Sequence, residues 1–362
     1  MSKLLLCLCV CNCLLNVAIA QQDFGGAIAA RPWNFPRDHG RHGGFQTEWW
    51  YFTGNLRDAQ GRKFGYQLTF FRRAMMPEKR ARRSAWSFRD IYASHFALSD
   101  VARDRFYYDQ RLARGALCIA EAAQDSLEVH LQSWSMTEES GTIRLLAAAG
   151  FGSIDFALQN VLPPALHGER GLAKKGEQPG QASYYYSLPH LPTRGALTIG
   201  DEKHAISGMS WMDHEFGSNQ LAPGDVGWDW FSLHLPDSVE VMIYLLRRAD
   251  GAIAPYSAGS LMRAGRIVRH LAFADFECKP LNWWKSAASG ARYPIEWEIR
   301  FADYRLTVCA VFENQELDTR KTTGVIYWEG YVLATGEKAG QPIAGEGYLE
   351  MTGYAATAAP QF

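Results

Sequence analysis

The sequence carries no surplus of either charge, with 37 basic residues against 38 acidic ones. That balance leaves out the electrostatic footprint of a nucleic-acid binder or of a protein held on an anionic membrane surface. There is no G-x-S-x-G elbow, no P-loop, no dinucleotide fingerprint and no pair of Cys-x-x-Cys motifs. Histidine spacing matches no strong metal signature such as H-E-x-x-H, so neither a metal nor a cofactor is expected. Helical periodicity is scarce. Past the N-terminal stretch no apolar run is long enough to span a bilayer, so an integral membrane protein is not expected. Of seven cysteines, Cys7, Cys9, Cys11 and Cys13 sit near the N-terminus, leaving Cys118, Cys278 and Cys309. Cys278 and Cys309 could pair, or all three could be small buried residues.

Aromatic residues, by contrast, make up 13% of the chain, and glycine occurs 33 times. That combination suits β-strands, tight turns and a site for an apolar ligand. Lys3, the apolar stretch Leu4 to Ile19 and the A-x-A site at Ala18-Ile19-Ala20 read as a secretory signal over residues 1–20. Export across the cytoplasmic membrane to the periplasm is the corresponding expectation. Gln21 to Gly44 has no period and reads as an irregular leader lying over the fold.

Strand signals then follow one another. Tyr66, Leu68 and Phe70 alternate, as do Leu127, Val129 and Leu131, the period of half-buried antiparallel strands. The basic segment 72–89, with Arg72 and Arg73 at its start, reads as a solvated hairpin loop or a patch for an acidic partner. Segment 163–181 reads as a loop over a barrel mouth or a surface linker. Eight strands are expected near 228–235, 239–248, 252–262, 266–276, 294–301, 303–312, 324–334 and 343–353. Eight up-and-down strands close into a barrel that holds one small ligand. Trp283-Trp284-Lys285-Ser286 reads as the start of a short helix or a turn.

Three constellations are candidates for chemistry. On a strand over 47–53, Glu48, Trp50 and Phe52 share one face and Trp49 and Tyr51 the other. Glu48 is then either an acid whose pKa is raised by an aromatic interior, or a buried carboxylate paired with an arginine or backbone amides. Asp213 and His214 resemble an orienter–base pair, though strand neighbours diverge. His39 and His42 with Asp213 and His214 offer a weak metal alternative. Asp229, between Trp228 and Trp230, is read as pointing away from both, toward solvent or a partner arginine.

In this order, Pro36-Arg-Asp-His-Gly-Arg-His42, Thr47-Glu-Trp-Trp-Tyr-Phe-Thr-Gly54, Trp211-Met-Asp-His-Glu-Phe-Gly217 and Gly345-Glu-Gly-Tyr-Leu-Glu-Met-Thr-Gly-Tyr354 resemble the carotenoid hydratase (hydroxyneurosporene synthase) family and its secreted AttH-type branch. The resemblance implies an all-β chain of two tandem lipocalin-like antiparallel β-barrel domains, 21–222 and 223–362. It implies an apolar, lipid- or isoprenoid-sized ligand near His42, Trp49, Trp50, Tyr51, Trp211, Trp228, Trp230 and Tyr244, with Glu48, Asp213 and His214 as catalytic candidates. The hydratases place an acidic residue just after a strand tyrosine, whereas Tyr244 is followed here by Leu245-Leu246. The secreted branch is therefore preferred. It implies a periplasmic protein that binds a hydrophobic molecule and works with an ABC transporter permease of the lipoprotein-releasing type. The alternative is a hydratase or hydrolase using a carboxyl acid. A purely structural envelope protein, its barrel plugged by Trp and Phe, is the third reading.

Overall fold

A computed structural model describes residues 24–78, 84, 87–219 and 221–356. The expected signal segment, and Lys79, Arg80, Arg82 and Arg83 of the basic segment, lie outside the described residues. The chain is all-β and forms two antiparallel sheets. The first contains β1 (Thr47–Asp58), β2 (Lys63–Ala74), β3 (Asp90–Asp100), β4 (Arg105–Arg114), β5 (Ala120–Ala122), β6 (Glu128–Leu131), β7 (Trp134–Glu139), β8 (Thr142–Ala149), β9 (Gly152–Gln159), β10 (Ala165–Leu166), β11 (Leu172–Lys174), β12 (Ala182–Ile199) and β13 (Glu202–Gly217). The second contains β14 (Asp225–Leu235), β15 (Val239–Arg248), β16 (Ala258–Arg263), β17 (Arg266–Ala272), β18 (Phe276–Lys285), β19 (Arg292–Phe301), β20 (Tyr304–Ala310), β21 (Glu316–Asp318), β22 (Ile326–Lys338) and β23 (Gln341–Met351).

Sheet one runs β4-β3-β2-β1-β13-β12-β9-β8-β7-β6-β5 and curls until β3 and β4 lie against β6, a nearly closed barrel. Sheet two runs β17-β16-β15-β14-β23-β22-β20-β19-β18, a half-barrel. Each concave face is filled. Trp50, Phe52, Tyr66, Phe70, Phe96 and Trp134 pack the first, and Phe231, Trp297, Trp328 and Leu349 the second. Neither interior is left as the ligand chamber that an eight-strand barrel suggested.

The second sheet has ten strands rather than eight. Trp283, Trp284 and Lys285 end strand β18 instead of opening a helix. This strand is an edge, exposed over most of its length, so burial imposed no period-two hydrophobic pattern on its sequence. Among the described residues Cys278 and Cys309 have no disulfide partner. They lie on β18 and β20, either side of β19, so two interstrand spacings of about 4.8 Å separate the strands, beyond disulfide reach. Arg72 is not part of a solvated loop. It ends up fully buried on β2, directly opposite Glu48 on β1.

The outer faces of the sheets also pack together. β1 lies against β23 and β2 against β22. Asn55 donates Nδ2 to the Gly347 carbonyl at 3.0 Å, and His95 Nδ1 lies 2.8 Å from the Tyr327 hydroxyl. Most strands near this junction are therefore covered on both faces, which removes the usual polar-out alternation.

Candidate active site

The period of two sorts the candidate residues onto opposite faces of the same two strands. On β1 and β13, Glu48, Trp50, Met212 and His214 turn into the first sheet's interior. Trp49, Tyr51, Trp211, Asp213 and Glu215 turn toward the second sheet. Two separate polar clusters result.

The inward cluster is a closed ionic network. Glu48 is fully buried, and its Oε2 accepts from Arg72 Nε at 2.9 Å. Its Oε1 lies 2.9 Å from both His42 Nδ1 and His214 Nε2. Arg72 also reaches Asp90 at 2.8 Å, and His42 Nε2 lies 3.1 Å from Asp38. Burial would raise the Glu48 carboxyl, but Arg72, His214 and His42 more than offset it and hold it well below the ordinary range. Glu48 is thus an ionised anchor rather than a proton-holding acid, which corrects the first of the two readings given above. His214 is pushed down to about 4, chiefly by burial and only partly offset by Glu48, so it stays neutral. The ligand atoms of His42, Glu48 and His214 lie within 4.8 Å of one another, close enough to hold a small cation. The Arg72 guanidinium already supplies positive charge there. Asp213 faces away from this group, and His39 Nδ1 bonds instead to the Tyr186 hydroxyl at 2.6 Å. Among the expected ligand contacts, His42 and Trp50 belong to this closed network, with Trp50 donating to the His39 carbonyl.

The outward cluster lines a cavity of about 80 Å³ between the two sheets. Trp49, Trp228 and Trp230 form aromatic walls, joined by Tyr51, Tyr185, Tyr244 and Tyr327. Trp211 backs the wall and donates Nε1 to Asp213 Oδ1 at 2.6 Å. Asp213, Glu215, Glu329, Glu350 and Lys175 bring ionisable groups into this slot. Lys175 Nζ pairs with Glu215 at 2.5 Å, and Ser183 donates to the same Glu215 oxygen.

Asp213 is bonded on both oxygens. Tyr185 donates to Oδ2 at 2.6 Å, while Ser187 and Trp211 donate to Oδ1. Burial nevertheless outweighs these donors and, with Glu215 adding repulsion, pushes the carboxyl up to about 7. Glu329 and Glu350 stand directly opposite each other on β22 and β23. Like charges at opposed positions repel, and Glu329 is buried and Glu350 half-buried within an apolar wall. Burial first, and Glu350 second, raise Glu329 well above the carboxylate range. Glu350 is raised too, chiefly by burial, although Trp228 donates to it at 3.2 Å. Glu329 is 1% exposed, and among the described residues neither of its oxygens makes a hydrogen bond of ordinary geometry. The Tyr51 and Tyr327 hydroxyls stand beside it and partly offset the rise. A carboxyl raised well above the ordinary range, with a tyrosine hydroxyl beside it, therefore faces the cavity.

Glu329, Glu350 and Lys175 were not singled out from the sequence. The two glutamates alternate with Tyr327, Tyr331 and Tyr348, a signal that reads as a solvent face until a second sheet covers it. Asp229 does point away from its flanking tryptophans, into the second sheet, where Arg247 lies 3.1 Å away.

The fold and this between-sheet site define a two-sheet β-protein with a small aromatic, acid-bearing cavity. The sequence matches the AttH-like family model over residues 27–354, and the chain belongs to that family. The crystal structure of a protein described as AttH from Nitrosomonas europaea is 33% identical with a TM-score of 0.82, covering 92% of this chain and 100% of that one. Kievitone hydratase from Nectria haematococca shares the fold, with a TM-score of 0.68 at 16% identity over 92% of this chain and 96% of its own. A dehydratase, asqC of Emericella nidulans, is 23% identical over 222 residues. That match spans 58% of this chain and 61% of the fungal protein, less than two thirds of its length.

Proposed function

We propose that this protein is a hydro-lyase-type enzyme that adds water to, or removes it from, an apolar small molecule held between the two sheets. The observation that carries this reading is Glu329, buried, paired with no cation and raised beside Glu350 on the wall of an aromatic slot. In the hydration direction, Glu329 gives its proton to one alkene carbon, and the π electrons form the new C–H bond. The cation left on the neighbouring carbon lies among the faces of Trp49, Trp228 and Trp230, which stabilise positive charge. Water attacks that carbon, and Asp213 takes the proton it releases. Dehydration is the same sequence reversed. The relatives named as hydratase and dehydratase support this chemistry by analogy of fold.

The substrate class we favour is isoprenoid-like, an alkene or tertiary alcohol whose cation needs only aromatic stabilisation. The cavity admits the reacting end of such a molecule rather than the whole of a long lipid. Its narrowness, and the filled barrel interiors, weigh against the reading preferred from the sequence, a periplasmic lipid carrier serving an ABC transporter.

The test is incubation of the purified protein with a panel of terpenoid and prenylated alkenes and alcohols in H₂¹⁸O, read by mass spectrometry. The expected result is ¹⁸O in an alcohol product, lost in Asp213→Asn. No exchange of oxygen or solvent deuterium with any panel member would overturn the reading.

A further inference from the structure

The hydration cycle leaves Asp213 with a surplus proton in a cavity whose mouth is filled by substrate. A second cavity, of about 430 Å³, lies on the other side of the Asp213 environment, lined by His167, Tyr256, Ser260 and His270. Between the two cavities runs an unbroken line of hydrogen bonds. Ser187 stands directly opposite Asp213 in the β12–β13 register and donates to its Oδ1. His167 Nε2 lies 2.6 Å from the Ser187 hydroxyl. His167 Nδ1 lies 2.9 Å from the hydroxyl of Ser260, on the second sheet. His167, Ser187 and Ser260 are each no more than 1% exposed. The substrate scheme above gives none of them a task.

We infer that Ser187, His167 and Ser260 form a proton relay joining Asp213 to water in the second cavity, so that Asp213 exchanges protons while the first cavity stays occupied and Glu329 regains its own from water once product leaves. The inference rests on the proposed hydro-lyase reading for the direction of proton flow. One tautomer satisfies the whole line. With Asp213 ionised, Ser260 donates to Nδ1, Nε2–H donates to Ser187, and Ser187 donates to Asp213. Shifting one proton along each bond delivers a proton to Asp213 and takes one from water beside Ser260. Export uses the other tautomer: with Asp213 protonated and Nδ1–H donating to Ser260, Asp213 donates to Ser187 and Ser187 to the bare Nε2, and one shift along each bond releases a proton to water beside Ser260. Neither direction needs His167 to become a stable cation, and burial, with His270 and Lys175 facing it, pushes that imidazole down to about 3. The charged groups facing Asp213 are Glu215 and Glu350, with Lys175 close to both glutamates. His167, Ser187 and Ser260 are positioning residues, since none touches the reacting carbon.

Two measurements on the full-length protein test the relay. The first needs no substrate: ¹⁵N spectra of histidine-labelled protein across pH 5 to 9, in wild type and in Asp213→Asn. The expected result is an exchange of the His167 proton between Nδ1 and Nε2 as Asp213 titrates, absent in Asp213→Asn. A His167 ring that keeps one tautomer throughout, or that charges independently of Asp213, overturns the relay. The second is kinetic. His167→Ala is expected to lower kcat about tenfold or more with KM unchanged, and to regain rate when imidazole fills the second cavity. A variant that keeps the wild-type kcat and solvent isotope effect overturns the relay while leaving the hydro-lyase reading intact. A wild-type protein with no turnover overturns that reading, and the ¹⁵N titration then decides the relay by itself.

Discussion

Glu329→Gln is expected to cut kcat by about 10²–10⁴-fold, the usual contribution of a positioned acid, while the protein remains folded. Glutamine keeps the size of the side chain and its place opposite Glu350. It cannot give up a proton to an alkene. Its effect on stability has the opposite sign to its effect on rate. Glu329 and Glu350 have folded-state pKa values raised above those of the unfolded chain. Their contribution is therefore complete below the unfolded value, roughly 4.3, and is lost as pH rises through the folded values. Glu350 completes this near pH 7, where its raised value lies at about 7. Thermal melts of the wild type should show stability falling between about pH 4.5 and pH 7 at this site. In Glu329→Gln the fall should be smaller, because one of the two opposed carboxyls is gone. Turnover that survives the substitution, or a pH profile that does not change, would assign the proton to another group.

The second large effect is expected at Arg72, in the interior of the first sheet. Arg72→Met should destabilise the protein by about 3–5 kcal/mol, the cost of leaving a buried carboxylate unpaired. Arg72 and Glu48 are both fully buried, and the guanidinium also donates to the carbonyls of His42 and Phe45 and to Asp90. The substitution therefore releases the segment before β1 as well as uncovering Glu48. Asp90 is better protected, since Arg89 pairs with it at 2.6 Å. Adding Glu48→Gln should return part of the loss, because the uncompensated charge is removed. Glu48→Gln alone should lower stability and leave kcat within a few-fold of wild type. Its folded-state pKa is depressed, so the stability it contributes is present above the unfolded pKa and is lost as pH falls through the folded value. Urea unfolding of the single and double variants at pH 7 measures both terms.

Parity along β1 was legible from the sequence. The alternation that sets Glu48 and Trp50 against Trp49 and Tyr51 is a local property of an extended chain, and the structure keeps it. The same rule separates Asp213 from His214 on β13, so two adjacent candidates serve different clusters. The partner of Glu48 was harder to find. Arg72 sits opposite it only because β1 and β2 form one long hairpin in a particular register. In the sequence Arg72 heads a run of basic residues and reads as the edge of a loop. Glu329 and Glu350 were hidden for a different reason. Polar residues alternating with apolar ones mark a solvent-facing strand, and nothing local to β22 or β23 reveals that another sheet will cover them. The location of the cavity follows from the same packing: it belongs to the junction of the two sheets, not to the inside of either one.

The most direct test of the account is the protonation state of Glu329 at neutral pH. Infrared difference spectra of ¹³C-glutamate-labelled protein, wild type against Glu329→Gln at pH 7, report it without any substrate. The predicted result is the isotope-shifted C=O stretch of a neutral carboxylic acid in the wild type that is missing from the variant. A wild-type spectrum with only carboxylate bands for that residue would contradict the account, because Glu329 would then have no proton to give.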